Sequence, residues 1–326
     1  MATAYLRGVG TYVPKRIMTN HDWERLVDTS DEWIVQRSGV RERHIAAPDE
    51  VTSDLGARAA QKAMEDAGVI AQEIDLLICA TASPDTLLPS TACWMQPKLG
   101  LEGKPAFDVS AACSGFIYGV TVAQQFVESG MYRNVLVVGA ELLSRVMDWQ
   151  DRSICVLLGD GAGAAVVSCE GSRGKILGSA LHADGTFAKL LWMPAGGTLM
   201  PATHETVDER LHYYSMKGNE VFKIAVKSMV DVTRELLDSL NMDGINIDWI
   251  VPHQANIRIL QSLAKRLKVP WDRVVVNLDK YGNTSAASIP LALEEAVKMG
   301  RISDGEMILL VSFGGGLTWA AMLLDW

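Results

Sequence analysis

The sequence predicts an α/β layered fold built from two similar halves. Helix-like and strand-like patterns alternate along the whole chain, with no low-complexity segment or long linker between them. The run Ile74-Asp75-Leu76-Leu77-Ile78 returns as Ile247-Asp248-Trp249-Ile250-Val251, each after an amphipathic helix pattern. Cys113 and Asn283 each open a helix that stops 17 residues later, at Gly130 and Gly300, and each helix leads into an apolar strand. The repeat divides the chain into residues 1–172 and 173–326. It also brings two helix starts, one with Cys113 and one with Asn283, close to a shared axis.

Taken in chain order, Thr29-Ser30-Asp31-Glu32 fits a capping box that opens a short helix. Amphipathic spacing then predicts helices over 52–67, 114–129, 218–240, 256–267 and 285–299. Apolar runs predict strands over 74–80, 105–109, 134–140, 162–168, 248–252, 273–278, 306–312 and 317–324. Helix 114–129 starts among small residues, and Asn256 is placed to cap the helix that follows it. The segment Phe313-Gly314-Gly315-Gly316-Leu317 joins the last two strands. The stretch 183–216 is the least regular and is expected to carry loops over the core.

A chain of 326 residues is long enough for two halves with a substantial core, and 48% hydrophobic with 21% charged residues fits an ordinary soluble globular protein. The net charge of −9 argues against a general nucleic-acid binder, and an acidic partner would need a local basic patch. Five widely spaced cysteines (79, 93, 113, 155 and 169) with no C-x-x-C pair favour neither a disulfide framework nor a zinc site. No apolar run reaches the length of a membrane span, and the first residues lack a signal-peptide core, so a reducing cytoplasm is expected.

The most informative segment is Phe107-Asp108-Val109-Ser110-Ala111-Ala112-Cys113-Ser114-Gly115-Phe116. A strand ends in small residues and a cysteine stands where a helix begins. Unpaired N–H groups and partial positive charge at a helix start favour a thiolate, so Cys113 reads as a nucleophile. His253 lies at the tip of a strand, where α/β folds often hold functional groups. Asn283 can cap a helix, or its amide can donate to a developing oxyanion. The glycine triplet is either a tight hairpin turn or a source of an N–H aimed at substrate. Together Cys, His and Asn permit thioester chemistry. Gly159-Asp160-Gly161-Ala162-Gly163 leads into a strand, not a helix, and is not a dinucleotide fingerprint.

With these residues in place the chain resembles the 3-oxoacyl-[acyl-carrier-protein] synthase III family, initiating condensing enzymes of bacterial type II fatty acid synthesis. The resemblance spans essentially the whole chain. It rests on Ala111-Ala112-Cys113-Ser114-Gly115-Phe116, His253-Gln254-Ala255-Asn256, Tyr281-Gly282-Asn283-Thr284-Ser285-Ala286-Ala287-Ser288 and Phe313-Gly314-Gly315-Gly316, in that order. It implies a thiolase-like αβαβα five-layered sandwich of two duplicated halves, and a homodimer. It implies Cys113 as the acylated nucleophile, His253 and Asn283 as the decarboxylation pair, and the N–H groups of Cys113 and Gly315 as an oxyanion hole. Acyl-CoA and malonyl-acyl carrier protein are then the substrates, with no metal or other cofactor required.

The resemblance also implies a CoA site at Trp33, Arg37, Arg152 and Asn256. Trp33 and Arg37 stand four apart and share a helix face. Carrier docking falls to Lys223, Arg258, Lys265 and Arg266, with Lys268 nearby, which answers how an acidic enzyme meets an acidic partner. Leu88 matches a residue that reaches across the dimer to close the partner's acyl pocket. Many members carry phenylalanine there, so leucine leaves room for a longer or branched primer. The same motifs fit a related enzyme of alkyl quinolone or polyketide starter synthesis. A Cys113–His253 thioesterase and a non-catalytic dimeric binding protein are more distant alternatives.

Overall fold

The computed structural model describes residues 2–242 and 247–326. The chain begins with β1 (Tyr5–Tyr12), β2 (Arg16–Thr19), α1 (Asn20–Trp23), α2 (Asp31–Ser38), β3 (Glu42–Ile45), α3 (Thr52–Ala67), β4 (Leu76–Ala80) and α4 (Thr91–Leu99). It continues through β5 (Ala106–Val109), α5 (Gly115–Glu128), β6 (Asn134–Glu141) and β7 (Gly161–Ser168). After residue 172 come β8 (Lys175–Ala183), β9 (Leu191–Trp192), α6 (His204–Asp208), β10 (Ser215–Met216), α7 (Gly218–Ser239) and β11 (Trp249–Pro252). The last elements are α8 (Ile257–Leu267), α9 (Leu278–Tyr281), α10 (Ser288–Lys298), β12 (Met307–Gly314) and β13 (Thr318–Asp325).

One sheet has the order β5-β4-β6-β7-β1, the other β11-β12-β13-β8, and a single antiparallel pair, Tyr5 with Lys175, joins them edge to edge. Strand directions repeat: β4–β6 and β11–β12 are parallel, while β6–β7 and β12–β13 are antiparallel. Helices α5 and α10 fill the space between the sheets, in a core that holds Phe116, Val120, Ile289 and Leu293. Helices α3 and α4 cover the outer face of the first sheet, α7 and α8 that of the second. The result is five layers. β4 is buried on both faces and reads accordingly as the unbroken apolar run Leu76-Leu77-Ile78-Cys79-Ala80.

The repeated Ile-Asp pair has a physical basis. The Asp75 N–H donates to Asn134 O at 2.9 Å, and its Oδ2 accepts from Asn134 N at 3.1 Å. The Asp248 N–H donates to Met307 O at 2.9 Å, and its Oδ2 accepts from Met307 N at 2.9 Å. The same two bonds fix the start of β6 and of β12.

Four expectations are corrected. Strand 273–278 does not form. A 3-10 turn at Trp271–Arg273 and helix α9 from Leu278 leave only a short extended piece, paired to Ile250 through one bridge at Val274. The equal 17-residue spacing does not make Cys113 and Asn283 equivalent. Each central helix follows a 3-10 turn, Ala112–Ser114 or Ser285–Ala287, with a left-handed residue, Ala112 (φ 45°) or Ser285 (φ 47°). Matching these turns pairs Cys113 with Ala286 and makes the second helix shorter, at 11 residues against 14. The cap of α2 is Ser30, which accepts from Trp33 N at 3.1 Å, and Glu32 instead accepts from Gln36 at 2.9 Å. Strands β1 and β8 were not predicted. β1 carries Gly8 and Gly10 because α3 lies against it: a Cβ at Gly10 would stand 2.2 Å from Ala63 N. Those glycines dilute the apolar pattern.

Candidate active site

The two central helix starts meet. A Cβ on Gly115 would lie 3.6 Å from the Ala286 Cβ. Cys113 opens onto a cavity of about 1020 Å³ that is also lined by His253, Asn283 and Gly315, and by Trp33, Arg37 and Asn256. Gly314, which ends β12, presses on the cysteine itself, since a Cβ there would stand 2.6 Å from Cys113 N. The N–H groups of Cys113 and Gly315 serve no turn or cap hydrogen bond among the described residues. They remain able to donate to an oxygen in the cavity.

The charge state differs from the sequence expectation of a thiolate. Burial pushes the Cys113 thiol up to about 12, and the Glu141 charge pushes the same way. The Ser285 hydroxyl and the cysteine's own N–H oppose this. Among the described residues no cationic side chain acts on the sulfur, and desolvation is the largest influence on it. Glu141 is fully buried at the end of β6. Burial raises its carboxyl, against hydrogen bonds from Ser83, Ser285 and the N–H groups of Ala82 and Ala286.

His253 follows β11, its N–H donating to Val311 O at 2.8 Å. Burial alone pushes its imidazole down to about 3, so the ring is neutral near pH 7. Nδ1 lies 2.7 Å from Ser288 Oγ, and that oxygen faces the Gln254 N–H at 3.4 Å. With the Ser288 hydroxyl donating to Nδ1, the ring proton sits on Nε2. Asn283 is pinned by its backbone, with its N–H on Leu157 O at 2.8 Å and its C=O taking the Gly159 N–H at 3.0 Å. Its Oδ1 accepts from Ser285 N at 2.9 Å. With the oxygen committed, the amide NH₂ is the part free to face the cavity.

At the mouth, Arg37 and Arg152 flank the Trp33 ring, each guanidinium carbon 5.3 Å from its centroid. Arg152 is also paired with Asp28. Asn256 caps α8 by accepting from Arg258 N at 2.9 Å and ties that helix to α2 by donating to Arg37 O at 2.8 Å. Lys223 and Arg258 stand at the cavity, whereas Lys265, Arg266 and Lys268 lie further along the exposed side of α8. Lys223, Arg258, Lys265 and Arg266 have no ion-pair partner among the described residues. Leu88 is 88% exposed and does not line this chain's own cavity.

Duplicated layers that meet at two central helix starts define a thiolase-type fold, and the site at that meeting point is equipped for acyl transfer. Residues 107–185 match the family model for 3-oxoacyl-[acyl-carrier-protein (ACP)] synthase III, and residues 237–326 match its C-terminal counterpart. The beta-ketoacyl-[acyl-carrier-protein] synthase III of Caldanaerobacter subterraneus subsp. tengcongensis is 55% identical, over 99% of this chain and 98% of that protein. The crystal structure of 3-oxoacyl-[acyl-carrier-protein] synthase III from Aquifex aeolicus VF5 superposes with a TM-score of 0.91 at 46% identity, covering 99% of this chain and 100% of that one. The priming beta-ketosynthase of the R1128 polyketide pathway is more distant, at 37% identity and TM-score 0.90, over 99% of this chain and 96% of that one. The chain belongs to the beta-ketoacyl-[acyl-carrier-protein] synthase III family and is a condensing acyltransferase.

Four contributors were not singled out from sequence. Ser288 and Ser285 sit inside a quoted motif, but hydroxyl roles have no periodicity. Glu141 left one signal, a carboxyl closing the apolar run Val135–Ala140. Tyr214 lies in the irregular stretch and left none.

Proposed function

We propose that this enzyme loads a primer from acyl-CoA onto Cys113 and condenses it with malonyl-acyl carrier protein, the first step of type II fatty acid synthesis. The observation that carries this reading is the neutral donor pair beside the thiol. His253, its Nδ1 engaged by Ser288, and Asn283, its Oδ1 engaged by the Ser285 N–H, both line the cavity that holds Cys113, which suits Nε2–H and the amide NH₂ as donors. In the first half-reaction sulfur attacks the thioester carbonyl and CoA leaves, carrying away in net terms the thiol proton. The N–H groups of Cys113 and Gly315 receive the oxyanion. In the second half-reaction the malonyl C–C bond breaks, CO₂ departs, and the enolate oxygen is held by His253 and Asn283. The carbanion attacks the acyl-Cys113 carbonyl, releasing 3-oxoacyl-carrier protein and a thiolate that takes a proton from water.

The halves 1–172 and 173–326 then divide the work, the first supplying the nucleophile and the second the donors. Trp33, Arg37 and Arg152 suit the adenine and phosphate end of CoA, with Asn256 positioning Arg37. The unpaired cations Lys223, Arg258, Lys265 and Arg266 suit an acidic carrier protein. We also read the enzyme as a cytoplasmic homodimer. β5 is an edge strand, and Leu87 and Leu88 nearby are 85% and 88% exposed, which supports Leu88 entering the partner's acyl pocket. The chemistry calls for no cofactor, acyl-CoA being a substrate.

The test is intact mass after exposure to acetyl-, isobutyryl- and octanoyl-CoA, with Cys113→Ala as control. One acyl increment, absent from the control and discharged only by malonyl-carrier protein, supports the reading. Discharge by water alone would favour a thioesterase, and discharge by another acceptor a specialised starter enzyme.

A further inference from the structure

Tyr214 lines the same cavity as Cys113 and is fastened at two points. Its N–H donates to Val146 O at 3.0 Å, and its hydroxyl donates to Ala82 O at 2.5 Å. Residue 82 is held through its preceding peptide as well, because the Ala82 N–H faces both Glu141 carboxylate oxygens at 3.2 Å. Glu141 in turn takes the Ser83 hydroxyl at 2.5 Å, and Ser83 Oγ accepts from Leu142 N at 2.9 Å. Moving the ring strands a partly buried hydroxyl and loosens a residue tied to a fully buried carboxyl, so the phenol is a stiff wall. Ala82 lines the cavity as well but contributes only a methyl group, so the Tyr214 ring is the bulkier of the two walls. Leu143 and Met216 line the cavity too. Both are flexible aliphatic chains, without a hydroxyl to tie them down.

We propose that Tyr214 is the specificity-determining residue for acyl length, a fixed ring that the primer on Cys113 abuts. The inference rests on the reading of Cys113 as the acylated nucleophile. It places the length limit inside this chain, whereas the Leu88 expectation places it across a dimer. Each further methylene that gains burial is worth about fourfold in kcat/KM. Removing the ring therefore raises the preference for long over short primers steeply.

The experiment measures the rate of acyl-enzyme formation by quenched intact mass, with acetyl-, butyryl-, hexanoyl- and octanoyl-CoA. It compares the wild type with Tyr214→Ala and Tyr214→Phe. The octanoyl-to-acetyl ratio is expected to rise at least tenfold in Tyr214→Ala and by less in Tyr214→Phe, which keeps the ring but loses its tie. Should Tyr214→Ala fail to melt cooperatively, Tyr214→Leu carries the same expectation. A ratio within threefold of wild type in a folded Ala or Leu variant overturns the role of Tyr214 alone. A wild type that none of the four esters acylates overturns the Cys113 reading and this inference with it.

Discussion

Gly314→Ala tests whether the position of the nucleophile is set by the contact between β12 and the Cys113 turn. The new Cβ would stand 2.6 Å from Cys113 N and 3.2 Å from both Cys113 Cα and Cβ. Ordinary contact begins near 3.4 Å, so one backbone must retreat by about 0.8 Å. β12 is paired with β13 along its whole length, through Gly314, and with β11 over Ile308–Val311, while the cysteine sits in a single 3-10 turn ahead of α5, so the turn is the part that yields. A misplacement of this size costs about 10²-fold in rate, or about 2.7 kcal/mol of transition-state stabilisation. Overpacking costs about 1–3 kcal/mol of stability, which leaves a protein of this size folded. The assay pairs single-turnover acylation by acetyl-CoA with urea unfolding of the same sample. Gly315→Ala is the contrast, because its Cβ meets Leu191 O at 3.1 Å and Ala112 Cβ at 3.6 Å, and a shift of a few tenths of an ångström suffices. Acylation by folded Gly314→Ala within threefold of wild type would refute the reasoning.

Asn283→Asp keeps the acceptor for Ser285 N but removes the donor and adds a charge. Release of CO₂ from malonyl-carrier protein should fall about 10²–10³-fold while acylation of Cys113 persists, and equal loss of both steps would count against a decarboxylation role. Glu141→Gln removes the charge that helps hold the Cys113 thiol high, so the pH profile of Cys113 alkylation by iodoacetamide should move to lower pH. A move to higher pH would instead make Glu141 an acceptor of the thiol proton. His253 has a folded pKa pushed by burial from 6.5 down to about 3, so the unfolded chain binds the extra proton between those values. Its contribution to stability is complete above about pH 6.5 and is lost as pH falls towards 3, at about 1.4 kcal/mol per unit. Urea midpoints of wild type should therefore fall more steeply than those of His253→Gln between pH 6.5 and 4.5, and parallel curves would show that the ring is not buried neutral.

Much of this architecture was legible because burial on both faces writes itself into sequence. β4 and β6 are continuous apolar runs, and α3 is amphipathic along its whole length, so all three were found. The nucleophile and its partners were legible for another reason: Cys113 and Asn283 stand among small residues and His253 at a strand tip, where side chains have no evident packing role. What stayed hidden depends on distant contacts. The glycines of β1 make sense only once α3 lies on them. Strand 273–278 fails because its flanks turn, not because its residues are wrong. The charge of Cys113 was misjudged because a helix start is visible in sequence while desolvation is not. Tyr214 reaches Ala82 across 132 residues, a relation no local pattern encodes.

The neutrality of the site bears on how one cavity serves two reactions. Acyl transfer needs a sulfur able to lose its proton as it attacks, and a thiol held near 12 does so only when the thioester arrives to share the developing charge. Decarboxylation needs the opposite of a cation. Charge leaves the malonyl carboxylate and appears on the thioester oxygen, so a positive group would stabilise the starting carboxylate as well as the product enolate. Such uniform binding accelerates nothing. A neutral imidazole and a neutral amide, both fixed as donors by Ser288 and Ser285, favour the enolate oxygen through directed hydrogen bonds without pinning the carboxylate. Burial that drives His253 down and Cys113 up is therefore the same feature seen from two sides. The cavity keeps the thiol and the imidazole uncharged at rest and directs its hydrogen bonds at the oxygens that become charged during reaction.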